Sequence, residues 1–178
     1  HALFATVLAV GIWLADVPLS ALGVGSEPFA GSTAIAAGVA AGVVLAFANA
    51  LIGAALDSDP SAKLRTLLAP DSVAGWAALL AVVLPIIAVF EELLFRAILI
   101  GAFSTGFGIS PWLLAVGSTI LFAAGHGAQG RVGVAATGAL GFALAAAFVV
   151  TNSLLVVVVA HYVVNAVEFV VAEGLGYE

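Results

Sequence analysis

From Val73 to Phe103 the chain carries no charged side chain except Glu91, Glu92 and Arg96. About twenty apolar residues are enough to cross a bilayer as a helix, so this run reads as a membrane span. A charge at bilayer depth costs about 2.5–3.5 kcal/mol even on lenient insertion scales. A chain that places three there must fold into a bundle whose interior shelters them, and an intramembrane ionisable group points to a functional site. Two more polar groups recur in the same setting, His126 in STILFAAGHG and His161 in LLVVVVAHYVVNAVEF.

Composition agrees. Of the 178 residues, 64% are hydrophobic and 8% charged, against about 25% charged in soluble domains. Too little polar surface exists to cover a water-soluble globule. Ala-, Val- and Leu-rich runs also outlast the ten-residue alternating strands of a membrane barrel. The expected class is an all-α polytopic bundle with a polar intramembrane cavity. The net charge of −6 comes from acids in loops, at the ends and inside spans, which does not suit nucleic-acid binding. With no cysteine, disulfides, thiolate metal sites and a cysteine nucleophile are excluded. The start at His1 and the absence of methionine predict a missing leading segment. High Ala, Val and Gly with one Lys point to a prokaryote with a GC-rich genome.

About six spans are expected: Ala2–Ala15, Thr33–Leu56, Val73–Phe103, Pro111–Gly125, Val132–Val150 and Leu154–Ala172. They form one transmembrane domain over 1–178, with a catalytic core over 73–172. The third span is too long to cross straight, so Pro85 is expected to kink it or its start to lie along the interface. Asp57–Ser72 has an amphipathic character suited to the membrane surface. Lys63, Arg65 and Arg131 fall in loops on one side if the spans alternate, and the positive-inside rule puts that side in the cytoplasm. Trp13, Trp76 and Trp112 lie near span ends, as interfacial aromatics do.

At 1.5 Å per helical residue, Glu91 lies roughly 18 Å, His126 roughly 22 Å, His161 about 12 Å and Asn165 about 18 Å from the outer boundary. Scattered polar residues have no cause to agree in depth. Glu92 and Arg96 are spaced i,i+4 with the acid N-terminal, the favourable order for an ion pair. That pair neutralises itself and leaves Glu91, about 100° round the helix, to face elsewhere. His161 and Asn165 share one helix face, and Phe122 and His126 repeat the spacing. A carboxylate base, an imidazole and a His/Asn donor pair suffice for water attack on an amide. Plainer roles stand beside these: Glu92–Arg96 as a structural pair, either histidine as an interhelical hydrogen-bonder, Asn165 as packing glue, and Glu168 as structural or pore-lining. Asn49 and Asn152 carry little signal, and the Gly and Ala spacings of spans two and five read as close packing.

These residues resemble the three motifs of the CPBP family, the CAAX prenyl endopeptidase and bacteriocin-processing intramembrane proteases. Two glutamates, three residues and an arginine match Glu91-Glu92-Leu93-Leu94-Phe95-Arg96. Phe-x-x-x-His matches Phe122 to His126, and His followed by Asn four residues later matches His161 to Asn165. The resemblance implies a helical bundle with a conical cavity opening to membrane and cytoplasm. It implies Glu91 as the general base, His126 holding or polarising the water, and His161 with Asn165 as the oxyanion site. Glu92 and Arg96 would support Glu91. Glu91, His126 and His161 also make a three-ligand set for zinc, so a metal stays open; Asn165, a better oxyanion donor than zinc ligand, favours the metal-free form.

The expected partners are the bilayer and a membrane-associated peptide or protein, in a prokaryotic cell membrane. Rival protease classes lack their residues: there is no H-E-x-x-H, no Gly-x-Ser-Gly turn, and no aspartate inside a span. A proton-coupled transporter remains an alternative, because intramembrane Glu and His also carry ions, though no inverted halves are visible. A silent scaffold or immunity protein is the other.

Overall fold

The computed structural model describes residues 2–25, 27–56 and 62–175, with the side chains of Leu56, Lys63 and Leu64 outside that description. Among the described residues all regular structure is helical. The helices are α1 (Ala2–Leu14), α2 (Gly31–Leu56), α3 (Ala62–Leu68), α4 (Val73–Phe107), α5 (Pro111–Gly125), α6 (Gly130–Thr151) and α7 (Leu154–Gly174). By length and composition α2, α4, α7 and the run from Gly127 to Thr151 can each cross a membrane. The other two expected spans, α1 and α5, are apolar but shorter, at 13 and 15 residues. Large apolar side chains such as Val44, Leu113 and Ile120 are exposed on the bundle's outside, the surface a lipid-embedded protein presents.

The long helix α4 runs unbroken through Pro85. The turn before it, Leu79–Val83, is widened to π geometry, and Pro85 sits in the first turn of the α-helical stretch Leu84–Glu92. A second π stretch, Leu93–Ala102, follows the paired glutamates. Widened turns of this kind are frequent at functional sites.

With lipid outside and protein inside equally apolar, helices in a membrane associate through close packing of small residues. The α2–α7 seam shows it. A methyl group built on Gly42 would lie 2.6 Å from Val163 Cβ and 2.7 Å from the Ala160 carbonyl oxygen, and one on Gly38 would lie 2.7 Å from the Val156 oxygen. The close packing expected of span two is therefore what joins it to α7. A cluster of Ile100, Ala115, Leu144, Ala145, Phe148, Val157 and Ala160 fills one half of the bundle. Leu79, Leu84 and Phe169 form a second cluster in the other half.

The connection between α1 and α2 folds back into the first half. Ala21 and Leu22 are buried, and the Ala21 carbonyl rests where a Gly101 side chain would be, 2.0 Å from its ideal Cβ. The Leu154 amide donates to the Gly23 oxygen at 2.9 Å, and Ser153 Oγ donates to the Phe29 oxygen at 2.8 Å. Asn152, in left-handed geometry, closes α6 and reaches the Ser20 oxygen at 3.4 Å. This end of the bundle is sealed.

At the opposite end, the stretch expected on the membrane surface is described only from Ala62 onward. There α3 turns Arg65 inward, buried and 3.7 Å from Glu173, while Leu67 faces outward. That inside-out pattern suits a helix lying against lipid.

Replacing Gly42 with Val forces α2 away from α7 and is expected to cost about 1–3 kcal/mol or more. Thermal unfolding in detergent or bicelles measures it. Gly106→Ala, where nothing lies within 4 Å of an added methyl, should leave stability the same or slightly higher.

Candidate active site

Helix α5 stops early, and its end is chemically informative. At ~1.5 Å per residue its 15 residues span roughly 22 Å, short of the ~30 Å hydrocarbon core. His126 caps it, and a 3-10 turn, Gly127–Gln129, leads directly into α6. Non-helical backbone at membrane depth is tolerated only inside protein or beside a water-filled cavity. Gly125, His126 and Gln129 do line a cavity, of about 1510 Å³. The last turn of α5 has carbonyls without helical partners, and the imidazole satisfies one of them: His126 Nδ1 lies 2.8 Å from the Phe122 oxygen. A carbonyl oxygen only accepts, so Nδ1 carries the hydrogen, and in the neutral ring Nε2 is an acceptor.

The same cavity is lined by Glu91 from α4 and by His161 and Asn165 from α7. The structure thus gathers around one space the four residues that sequence depth placed at one level. Glu91 Oε2 lies 3.7 Å from His161 Nε2.

Glu92 and Arg96 lie behind this wall, fully buried. Arg96 Nη1 donates to Glu92 Oε1 at 2.9 Å, the expected i,i+4 pair. The pair is not self-contained, however. The same Oε1 accepts from His161 Nδ1 at 2.6 Å, so Glu92 supports an imidazole on α7 through a direct bond. Arg96 Nη2 donates to the Gly141 oxygen on α6 at 2.8 Å, and its guanidinium lies over the Phe122 ring, 4.7 Å from the centroid. A cation over an aromatic face in a dry interior is a favourable contact. Phe122 in turn packs on His126 at 4.6 Å and edge-on to His161 at 6.3 Å between centroids. One aromatic ring therefore spaces both imidazoles.

Several participants escaped the sequence reading. Gly141 gives its carbonyl to Arg96 and leaves room for Phe122, whose Cδ1 would lie 2.8 Å from a methyl at that position; the small-residue run of span five was its only signal. Thr137 donates to Gln129 at 2.6 Å, pinning the turn after His126. Asn49, set aside for its place near a span end, lines the cavity and donates to Glu168 across the α2–α7 seam. No spacing rule links residues so far apart.

The zinc alternative needs Glu91, His126 and His161 drawn together as ligands. Among the described residues no three His, Cys, Asp or Glu side chains form a group able to hold a metal ion.

Fold and site together define a polytopic helical membrane protein with a carboxylate–imidazole centre lining an internal cavity. A family model, type II CAAX prenyl endopeptidase Rce1-like, matches residues 73–167, which include all three motifs. The chain belongs to that family, and at the family level it is an intramembrane protease of the CAAX type. Neither a curated protein nor a solved structure matches it.

Arg96→Leu leaves Glu92 buried without its cation and is expected to cost about 3–5 kcal/mol, read as a fall in melting temperature in detergent. Arg131→Leu, at an exposed position, should stay within about 0.5 kcal/mol.

Proposed function

We propose that the protein hydrolyses a peptide bond of a membrane-associated peptide or protein through a water activated by Glu91, without a metal. The supporting observation is that one carboxylate and two imidazoles from three helices line a single cavity, with Glu91 3.7 Å from His161. A water lodged there would donate one hydrogen to the Glu91 carboxylate and the other to the bare Nε2 of His126. Both contacts pull protons from the water and make its oxygen a nucleophile. The Asn165 amide is a donor for the oxyanion. Glu92 and Arg96 hold the frame.

The apolar part of the cavity, including Phe47, Leu140 and Val164, suits a substrate that arrives with hydrophobic surface. Secreted peptide precursors and lipid-modified membrane proteins are such substrates. Arg65 and Arg131 lie toward the open end of the bundle; applying the positive-inside rule, we assign that end to the cytoplasmic side of a prokaryotic cell membrane.

Purified protein in proteoliposomes should cleave a membrane-anchored reporter. Glu91→Gln should lower the rate by about 10²–10⁴ with an unchanged melting temperature, and His126→Ala should also abolish cleavage. Activity that survives a strong chelator supports the metal-free form; activity lost to chelator and restored by zinc overturns that part. Undiminished cleavage by Glu91→Gln ends the mechanism.

A further inference from the structure

The two ring nitrogens of His161 have unequal surroundings. Nδ1 lies 2.6 Å from Glu92 Oε1, the length of a short charge-assisted hydrogen bond. Arg96 donates to the same oxygen, so that oxygen is an acceptor and the hydrogen of the His161 contact belongs to Nδ1. Nε2 lies 3.7 Å from Glu91 Oε2, beyond the length of an N–H···O bond. In the neutral ring with its hydrogen on Nδ1, Nε2 is a bare acceptor, and a bare acceptor offers nothing to an oxyanion. His126 is in the same state, its Nδ1 hydrogen committed to the Phe122 carbonyl. With both neutral imidazoles holding their one hydrogen in these contacts, the Asn165 amide is the uncommitted donor among Glu91, His126, His161 and Asn165 before reaction begins.

We propose that His161 becomes an oxyanion donor only by taking up the proton that Glu91 removes from the attacking water, with Glu92 as the positioning residue that holds the ring for it. This rests on the proteolytic function above and adds the order of proton movements. As the water oxygen bonds to the carbonyl carbon, one water proton passes to Glu91 and the C=O π pair moves onto oxygen. Glu91 hands the proton to His161 Nε2. The imidazolium keeps its Nδ1–H on Glu92, whose negative charge offsets the new positive one, and presents Nε2–H to the oxyanion. When the C–N bond breaks, its electron pair goes to nitrogen together with the Nε2 proton, and the C=O bond re-forms. Glu91 and His161 return to their starting states. The donor exists only after the water has been deprotonated, so its stabilisation is spent on the tetrahedral state and not on bound substrate.

The test is ¹⁵N NMR of histidine-labelled wild-type protein in nanodiscs at neutral pH, with His161 assigned from His161→Gln. The expected spectrum has Nδ1 pyrrole-like and Nε2 pyridine-like. A hydrogen on Nε2 at rest, in either the neutral or the doubly protonated ring, overturns the relay and leaves Glu91-dependent proteolysis standing. Kinetics give a second readout. Glu92→Gln still accepts from Nδ1–H but supplies no charge, so kcat should fall about 10²-fold while KM stays within about twofold. An unchanged kcat overturns Glu92's role. If that variant does not fold, the wild-type spectrum decides. Wild-type protein that shows the expected tautomer yet cleaves no anchored reporter overturns the proteolytic reading, and the relay with it.

Discussion

One oxygen atom, Glu92 Oε1, organises the interior of this bundle. It accepts from Arg96 on its own helix and from His161 on α7, with no exposure to solvent. Ions taken out of water lose several kcal/mol of hydration each, and their attraction compensates only where the geometry is good and further hydrogen bonds are made. The surroundings supply part of this, with Glu92 Oε2 and Arg96 Nε buried without a hydrogen-bond partner among the described residues. Gly141 offers its carbonyl to the guanidinium, and Phe122 offers its ring face. In meeting the needs of Arg96, the fold also fixes Phe122, and Phe122 sets where both imidazoles stand. Helices α4, α5, α6 and α7 are thus tied at the level where chemistry is proposed. The polar centre fixes the relative register of helices whose apolar surfaces would slide past one another at little cost.

A second constraint comes from the unfinished helix. A transmembrane segment that stops short of the far side of the hydrocarbon core exposes carbonyl groups that lipid cannot satisfy. The chain solves this by making the capping group an imidazole, by pinning the next turn with Gln129 and Thr137, and by leaving a cavity beside it. The need for water at a broken helix end and the need for water in hydrolysis are met by the same space.

The number and rough limits of the apolar helices were legible because hydrophobic length is a direct physical requirement of the bilayer. So was the gathering of Glu91, His126, His161 and Asn165, since depth along a span follows from counting residues. The rotation of each helix about its axis does not follow from counting, and that hid the bond from Glu92 to His161. Its i,i+4 partner Arg96 seemed to account for the carboxylate completely. The same gap concealed Gly141, and it made Asn49 look idle although it meets Glu168 on a helix more than a hundred positions away. The early stop of α5 was visible as length, yet its meaning came only with the cavity next to it.

The tucked connection between α1 and α2 has a consequence for traffic. With Ala21 pressed on Gly101 and Phe29 bound to Ser153, the vessel is blind at that end. All cavity-lining positions on α2, α6 and α7 lie in the opposite part of those helices. Among the described residues the blind end offers no passage, so reactant, solvent and severed fragments would pass through the cavity's other side. A fragment slow to depart would then hold up its successor, tying turnover in the proposed reaction to clearance as well as to bond breaking.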